Sequence, residues 1–64
     1  MKVKYSADVD ALVIRFSDAK IDESDEEKPG IILDFDKDGN IVRIEILKAS
    51  QRSGNPQNIE FEVA

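Results

Sequence analysis

The sequence predicts a mainly β fold: an antiparallel meander of four to five strands, α+β if a short helix near residues 47–53 is counted. Three observations predict it. Met1, Val3 and Tyr5 alternate with Lys2 and Lys4, the period of a strand with one wet face. Ala11-Leu12-Val13-Ile14-Arg15-Phe16 is an apolar run rich in β-formers. Asp38-Gly39 lies between two alternating segments, Ile31 to Phe35 and Ile41 to Leu47, and is a strong hairpin signal.

Taken in order, the first two segments are joined by Ser6-Ala7-Asp8-Val9-Asp10. Asp and Ser bond nearby backbone amides and favour turns, so the pair reads as a hairpin. Leu12, Ile14 and Phe16 share one face, with Val13 and Arg15 on the other. Ser17 to Lys28 is polar and acidic; it reads as an exposed loop with a short edge strand around Ile21 to Ser24, guarded by its charges. Pro29-Gly30 punctuates the chain before the next strand.

Centring a two-residue turn on Asp38-Gly39 sets a register. Phe35 faces Val42, Leu33 faces Ile44 and Ile31 faces Ile46, all on one face, while Asp34 meets Arg43 on the other. A slip of one residue would scramble that segregation. Leu47 to Arg52 holds good helix formers, with Gly54 as a terminator. Ile59-Glu60-Phe61-Glu62-Val63 alternates cleanly and reads as a last strand.

The chain has 64 residues, which bounds it to one domain, residues 1–64. So short a chain buries a modest core. It has no cysteine, so no disulfide supports it, and no histidine, which removes the commonest zinc ligand and the usual neutral-pH proton shuttle. One short helix is thin cover for Leu12, Ile14, Phe16, Leu33, Phe35, Val42, Ile44 and Ile46, so a homodimer is expected, formed sheet to sheet or by exchange of the C-terminal strand. The net charge of -5 disfavours nucleic acid as a partner and suits a basic protein. Lys2, Lys4, Arg15 and Arg43 read as solubilising residues of the outer face. The N-terminal residues lack the apolar run of a signal peptide and no stretch is long enough to span a bilayer; the expectation is a cytoplasmic protein without membrane contact.

Tyr5, Asp10-Ala11-Leu12-Val13-Ile14-Arg15, Pro29-Gly30-Ile31-Ile32-Leu33-Asp34-Phe35-Asp36, Gly39-Asn40-Ile41-Val42, Ile44-Glu45-Ile46-Leu47 and Ala49-Ser50 follow in this order. As an ordered set they resemble the prokaryotic domain of unknown function family 2283, over about residues 1 to 50. The resemblance implies a small domain of this fold. It also implies an association of some members with the antitoxin half of toxin–antitoxin pairs. Arg43 stands where the family pattern often has Gly, and Ser53 to Ala64 match no family pattern.

Asp34, Asp36, Asp38, Gly39 and Glu45 match the spacing of an EF-hand calcium loop. Those loops join helices, whereas both flanks here alternate as strands. In the hairpin register Glu45 lies about 13 Å along the ladder from Asp36, too far for one ion to be held by both. A solvated Asp-Gly turn is the preferred reading, and a weak calcium site on Asp34, Asp36, Asp38 and Glu45 is the alternative. Asp8 and Asp10 read as turn formers, Tyr5 as a core residue, and the acidic stretch Asp22 to Glu27 as a solvated loop or a contact for a basic protein. Ser6, Ser17, Ser24, Ser50 and Ser53 have no histidine to activate them, so no catalytic residue and no cofactor are expected, and the chain reads as a binding module rather than an enzyme.

Overall fold

The computed structural model of the chain describes residues 1–64. It contains β1 (Lys2–Ser6), β2 (Ala11–Arg15), β3 (Glu23–Lys28), β4 (Ile31–Phe35), β5 (Ile41–Leu47) and α1 (Ala49–Arg52). The strands form one antiparallel sheet in the order β1-β2-β5-β4-β3. The fold is therefore mainly β with one short helix, as the sequence predicts. The strand order is not a plain meander: β5 lies between β4 and β2, and the chain crosses from β2 to the far edge before starting β3. Residues 16–22 make that crossing. Three inter-strand spacings are about 14 Å, well within the reach of seven extended residues.

The register puts Val3 beside Ile14, Ile14 beside Ile44 and Ile44 beside Leu33. A second row runs Tyr5, Leu12, Ile46, Ile31. These rows share one face, and alternation along β1, β2, β4 and β5 leaves their charged residues on the other. Leu12 and Val42 are buried, whereas Ile14, Ile31, Leu33, Phe35, Ile44 and Ile46 remain part-exposed. A single sheet with a four-residue helix at its end cannot bury an apolar face of this extent.

The β4–β5 hairpin departs from the predicted turn. The Asp36 carbonyl accepts the Gly39 N–H at 3.1 Å, and the Asp36 N–H donates to the Asn40 carbonyl at 2.9 Å. Gly39 has φ +84, while Asp38 keeps a negative φ. This is the longer hairpin loop, a turn closed by a left-handed glycine, rather than the two-residue turn that needs two such residues. The Asp36 carboxylate selects it by accepting the Asp38 and Asn40 N–H groups, both at 2.9 Å. The longer loop displaces one pairing. Phe35 faces Ile41 instead of Val42, and Val42 becomes the extra residue of a β-bulge. The pairs Leu33–Ile44, Ile31–Ile46 and Asp34–Arg43 stand as predicted.

At the opposite end of the sheet, Pro29-Gly30 forms the tight β3–β4 turn, with Gly30 at φ +83. Proline followed by a left-handed glycine is the signature of a type II turn. The edge strand is longer and later than Ile21 to Ser24, running from Glu23 to Lys28 with Glu27 as a bulged extra residue. All six of its residues are exposed, yet β4 supplies a ladder of bonds interrupted at Glu27, which outweighs their weak strand propensity.

The predicted last strand does not form. Residues 59–64 have no regular structure and their main chain makes no hydrogen bond. Ile59, Phe61 and Val63 are 54%, 86% and 79% exposed. Alternation defines two faces but supplies no neighbouring strand. No helix of the structure is long and apolar enough to cross a membrane.

Candidate functional site

Three carboxylates organise the polar side chains, each at a different place on the sheet. Asp10 closes the β1–β2 turn with φ +53, a left-handed conformation that Asp tolerates. Its carboxylate accepts the Tyr5 hydroxyl at 2.6 Å, the Ser50 N–H at 3.0 Å and the Ser50 hydroxyl at 2.7 Å, and its carbonyl accepts the Ala49 N–H at 3.0 Å. Lys48, at the start of α1, offers no side-chain cap. Asp10 thus caps the helix from across the fold. The Tyr5 hydroxyl and then the Ser50 groups hold its pKa below the ordinary carboxylate value. In return the bond to Asp10, some burial and the carboxylate charge raise the pKa of Tyr5. A carboxylate so stabilised is a weak base towards Ser50, and the cluster is a clasp that fixes α1 to the sheet. Sequence reasoning read Tyr5 as core and Asp10 as a turn former. Nothing local links either to Ser50, which lies 40 residues from Asp10.

Asp34 is the buried charge, 1% exposed. It accepts Arg43 Nε at 2.6 Å and the Ser24 hydroxyl at 2.5 Å. Burial alone would raise its pKa. The Ser24 hydroxyl, the Arg43 N–H and the charges of Arg43 and Arg15 outweigh burial and keep it below the ordinary value. The register shows a row that the linear sequence hides: Lys2 opposes Arg15, Arg15 opposes Arg43, Arg43 opposes Asp34 and Asp34 opposes Ser24. Three cations and one anion cross the whole outer face. Arg15 retains a buried Nη1 without a hydrogen-bond partner.

Asp36 is held within its own loop. The Asn40 backbone N–H is the main cause of its lowered pKa, with the Asp38 amide and the Asn40 side chain adding to it. It lines an open depression of about 410 Å³ with Ala19, Lys20, Asp22, Lys37 and Asp38, where two lysines offset the three aspartates. Of the four calcium candidates, Asp36 and Asp38 thus share the loop, Asp34 is bonded to Arg43, and Glu45 lies on β5 opposite Val13 and Ile32. No three carboxylates converge on one point.

The acidic stretch forms the β3 edge. Glu23 and Asp25 lie in the rows of Phe35 and Leu33, and Glu26 lies in that of Ile32. Carboxylates therefore project from both faces of an exposed edge. The opposite edge, β1, carries Lys2 and Lys4 and no acid.

No curated protein and no solved structure matches this chain. The model of one family, described as a protein of unknown function (DUF2283), matches residues 2–50. That span holds all five strands and ends at Ser50, the partner of Asp10, so the match covers the sheet and its clasp and stops within α1. The chain belongs to the DUF2283 family.

Proposed function

We propose that this chain is a protein-binding module that acts as a homodimer and uses its acidic edge to bind a basic protein, in the manner of an antitoxin. The observation that carries this reading is exposed surface. The chain leaves 5026 Å² accessible at a mass of 7.2 kDa. A compact monomer of that mass exposes about 4,100 Å². The excess, about 900 Å², is close to what each partner contributes to a standard-size protein interface, about 800 Å². Much of it is apolar: Val3, Phe16, Ile41, Ile59, Phe61 and Val63 are all more than a third exposed. A second copy is the occupant that matches this surface, because it brings the same incomplete sheet.

The charge supports the basic partner. The chain carries -5 overall, and β3 places four carboxylates on an edge where every residue is exposed. Such an edge attracts cationic surfaces and repels its own kind.

Two measurements test the reading. Light scattering coupled to gel filtration should give twice the chain mass at micromolar concentration; the mass of one chain throughout rejects the dimer. Co-expression with a basic protein encoded by an adjacent reading frame should give a complex that survives at low salt and weakens at high salt. If no complex forms at low salt, the masking role is wrong.

A further inference from the structure

The two edges of the sheet are oppositely charged, and one unpaired segment of the chain fits only the basic edge. β1 presents Lys2-Val3-Lys4-Tyr5, and the C-terminal segment reads Ile59-Glu60-Phe61-Glu62-Val63. Both alternate with period two. In β1 the lysines lie on the outer face and Val3 and Tyr5 on the apolar face. In residues 59–63 the glutamates fall on one side and the apolar residues on the other. We propose that residues 59–63 of one copy add as a strand to the β1 edge of a second copy, reciprocally, giving a closed two-fold dimer with two six-stranded sheets. This rests on the homodimer proposed above and names its contact.

The pairing is antiparallel, like every other in the sheet. Phe61 then faces Val3 and extends the row Val3, Ile14, Ile44, Leu33. Ile59 faces Tyr5. Glu60 meets Lys4 and Glu62 meets Lys2. Cross-strand pairs of opposite charge and of apolar side chains are the ones that stabilise a sheet. Glu62 also completes the outer row. One chain alone sets three cations, Lys2, Arg15 and Arg43, against the single carboxylate of Asp34, with Arg15 opposite Arg43. Like charges directly opposed destabilise a sheet, and a carboxylate at the Lys2 end relieves them.

The acidic edge is a poor site for the same segment, since Glu60 and Glu62 would meet Glu23 and Asp25 in one register and Glu26 in the other. Nor is β3 an easy partner for β1 itself, because Glu27 bulges its ladder. Covering β1 also removes a hazard. A basic edge on one end and an acidic edge on the other invite head-to-tail association, which does not close.

The test is a charge exchange on the full chain. The K2E/K4E variant should weaken the dimer at least about tenfold. The E60K/E62K variant should do the same, and combining all four substitutions should restore it. Hydrogen exchange should show the β1 amides on the side away from β2 protected in the dimer and unprotected in a chain ending at Asn58. Because residues 59–64 make no backbone bond within the chain, that truncated chain should fold and run as a monomer. A dimer that ignores both reversals and the truncation overturns this contact while leaving the homodimer in place. A full-length chain that is monomeric at about 100 µM overturns both. Protection of those outward β1 amides in a monomer would show that the segment pairs with its own chain, which also overturns the proposal.

Discussion

Asp34 shows how one residue ties the outer face together. Its carboxylate is buried, and its bonds to Ser24 and Arg43 join β3, β4 and β5. Replacing it with Ala leaves Arg43 without its ion pair and brings the Arg15–Arg43 repulsion forward. Breaking a buried pair from one side typically costs 3–5 kcal/mol. Arg43 is 36% exposed and can turn to water, so the expected loss for Asp34→Ala is smaller, about 2–3 kcal/mol. Urea unfolding at pH 7 measures it, and a loss under about 0.5 kcal/mol would contradict the account. The same residue predicts an acid dependence. The folded pKa values of Asp10, Asp34 and Asp36 are all lowered. Stability from a lowered carboxylate is fully present above the unfolded pKa and is lost as pH falls through the folded one. The unfolding midpoint should therefore be flat between about pH 7 and 5 and fall steadily below about pH 4. Asp10→Ala should remove part of that slope. It also loses the αL tolerance that Asn keeps, so Asp10→Asn should be the milder variant in thermal melts.

At the scale of elements, the two turns at opposite ends of the β4 strand each depend on one left-handed glycine. Gly39 and Gly30 sit at φ +84 and +83. A Cβ at Gly39 would touch nothing within 4 Å, and one at Gly30 would make ordinary contacts, the nearest at 3.7 Å from Leu47 Cβ. Gly39→Ala and Gly30→Ala should each cost about 1 kcal/mol, purely from the left-handed backbone, and the double variant should add the two. Gly39→Asn should recover part of the loss. The legibility of the fold follows the same division between local and distant. The β1–β2 and β4–β5 hairpins are legible because alternation and turn residues are local signals, whereas the exposed acidic strand of the β3–β4 hairpin has no alternation to mark its bounds. The β2–β5 pairing is not legible, since no turn joins those strands and only apolar packing brings them together. The row Lys2–Arg15–Arg43 was invisible for that reason, and so was the bond from Asp10 to Ser50. The Asp38-Gly39 dipeptide marks the place of the β4–β5 loop but not its length, because the Asp36 carboxylate closes a larger ring than the dipeptide alone suggests. Residues 59–63 illustrate the converse. Their alternation is as regular as that of β1, but strand pattern is a statement about faces, and a strand also needs an edge to pair with.

The whole molecule is a thin sheet, 20 Å in its shortest dimension against 32 and 31 Å in the others. A homodimer would tie its stability to its concentration. If folding and dimer formation are coupled, raising the concentration stabilises the folded state by mass action, about 2.7 kcal/mol of dimer for a hundredfold increase. A domain of this size gains about 0.13 kcal/mol per kelvin per chain in unfolding entropy near its midpoint. The melting temperature should therefore rise by about 10 °C between about 1 and 100 µM. The chain ending at Asn58 should lose this dependence, because the segment proposed to bridge the copies is gone and the remaining monomer unfolds alone. It should also melt lower than the full chain at 100 µM and close to it at high dilution, where dissociation precedes unfolding in both. Circular dichroism melts of the two chains across that range decide the matter. A melting temperature independent of concentration in the full chain means that the sheet folds without a second copy, and the coupling of folding to the proposed dimer is then wrong.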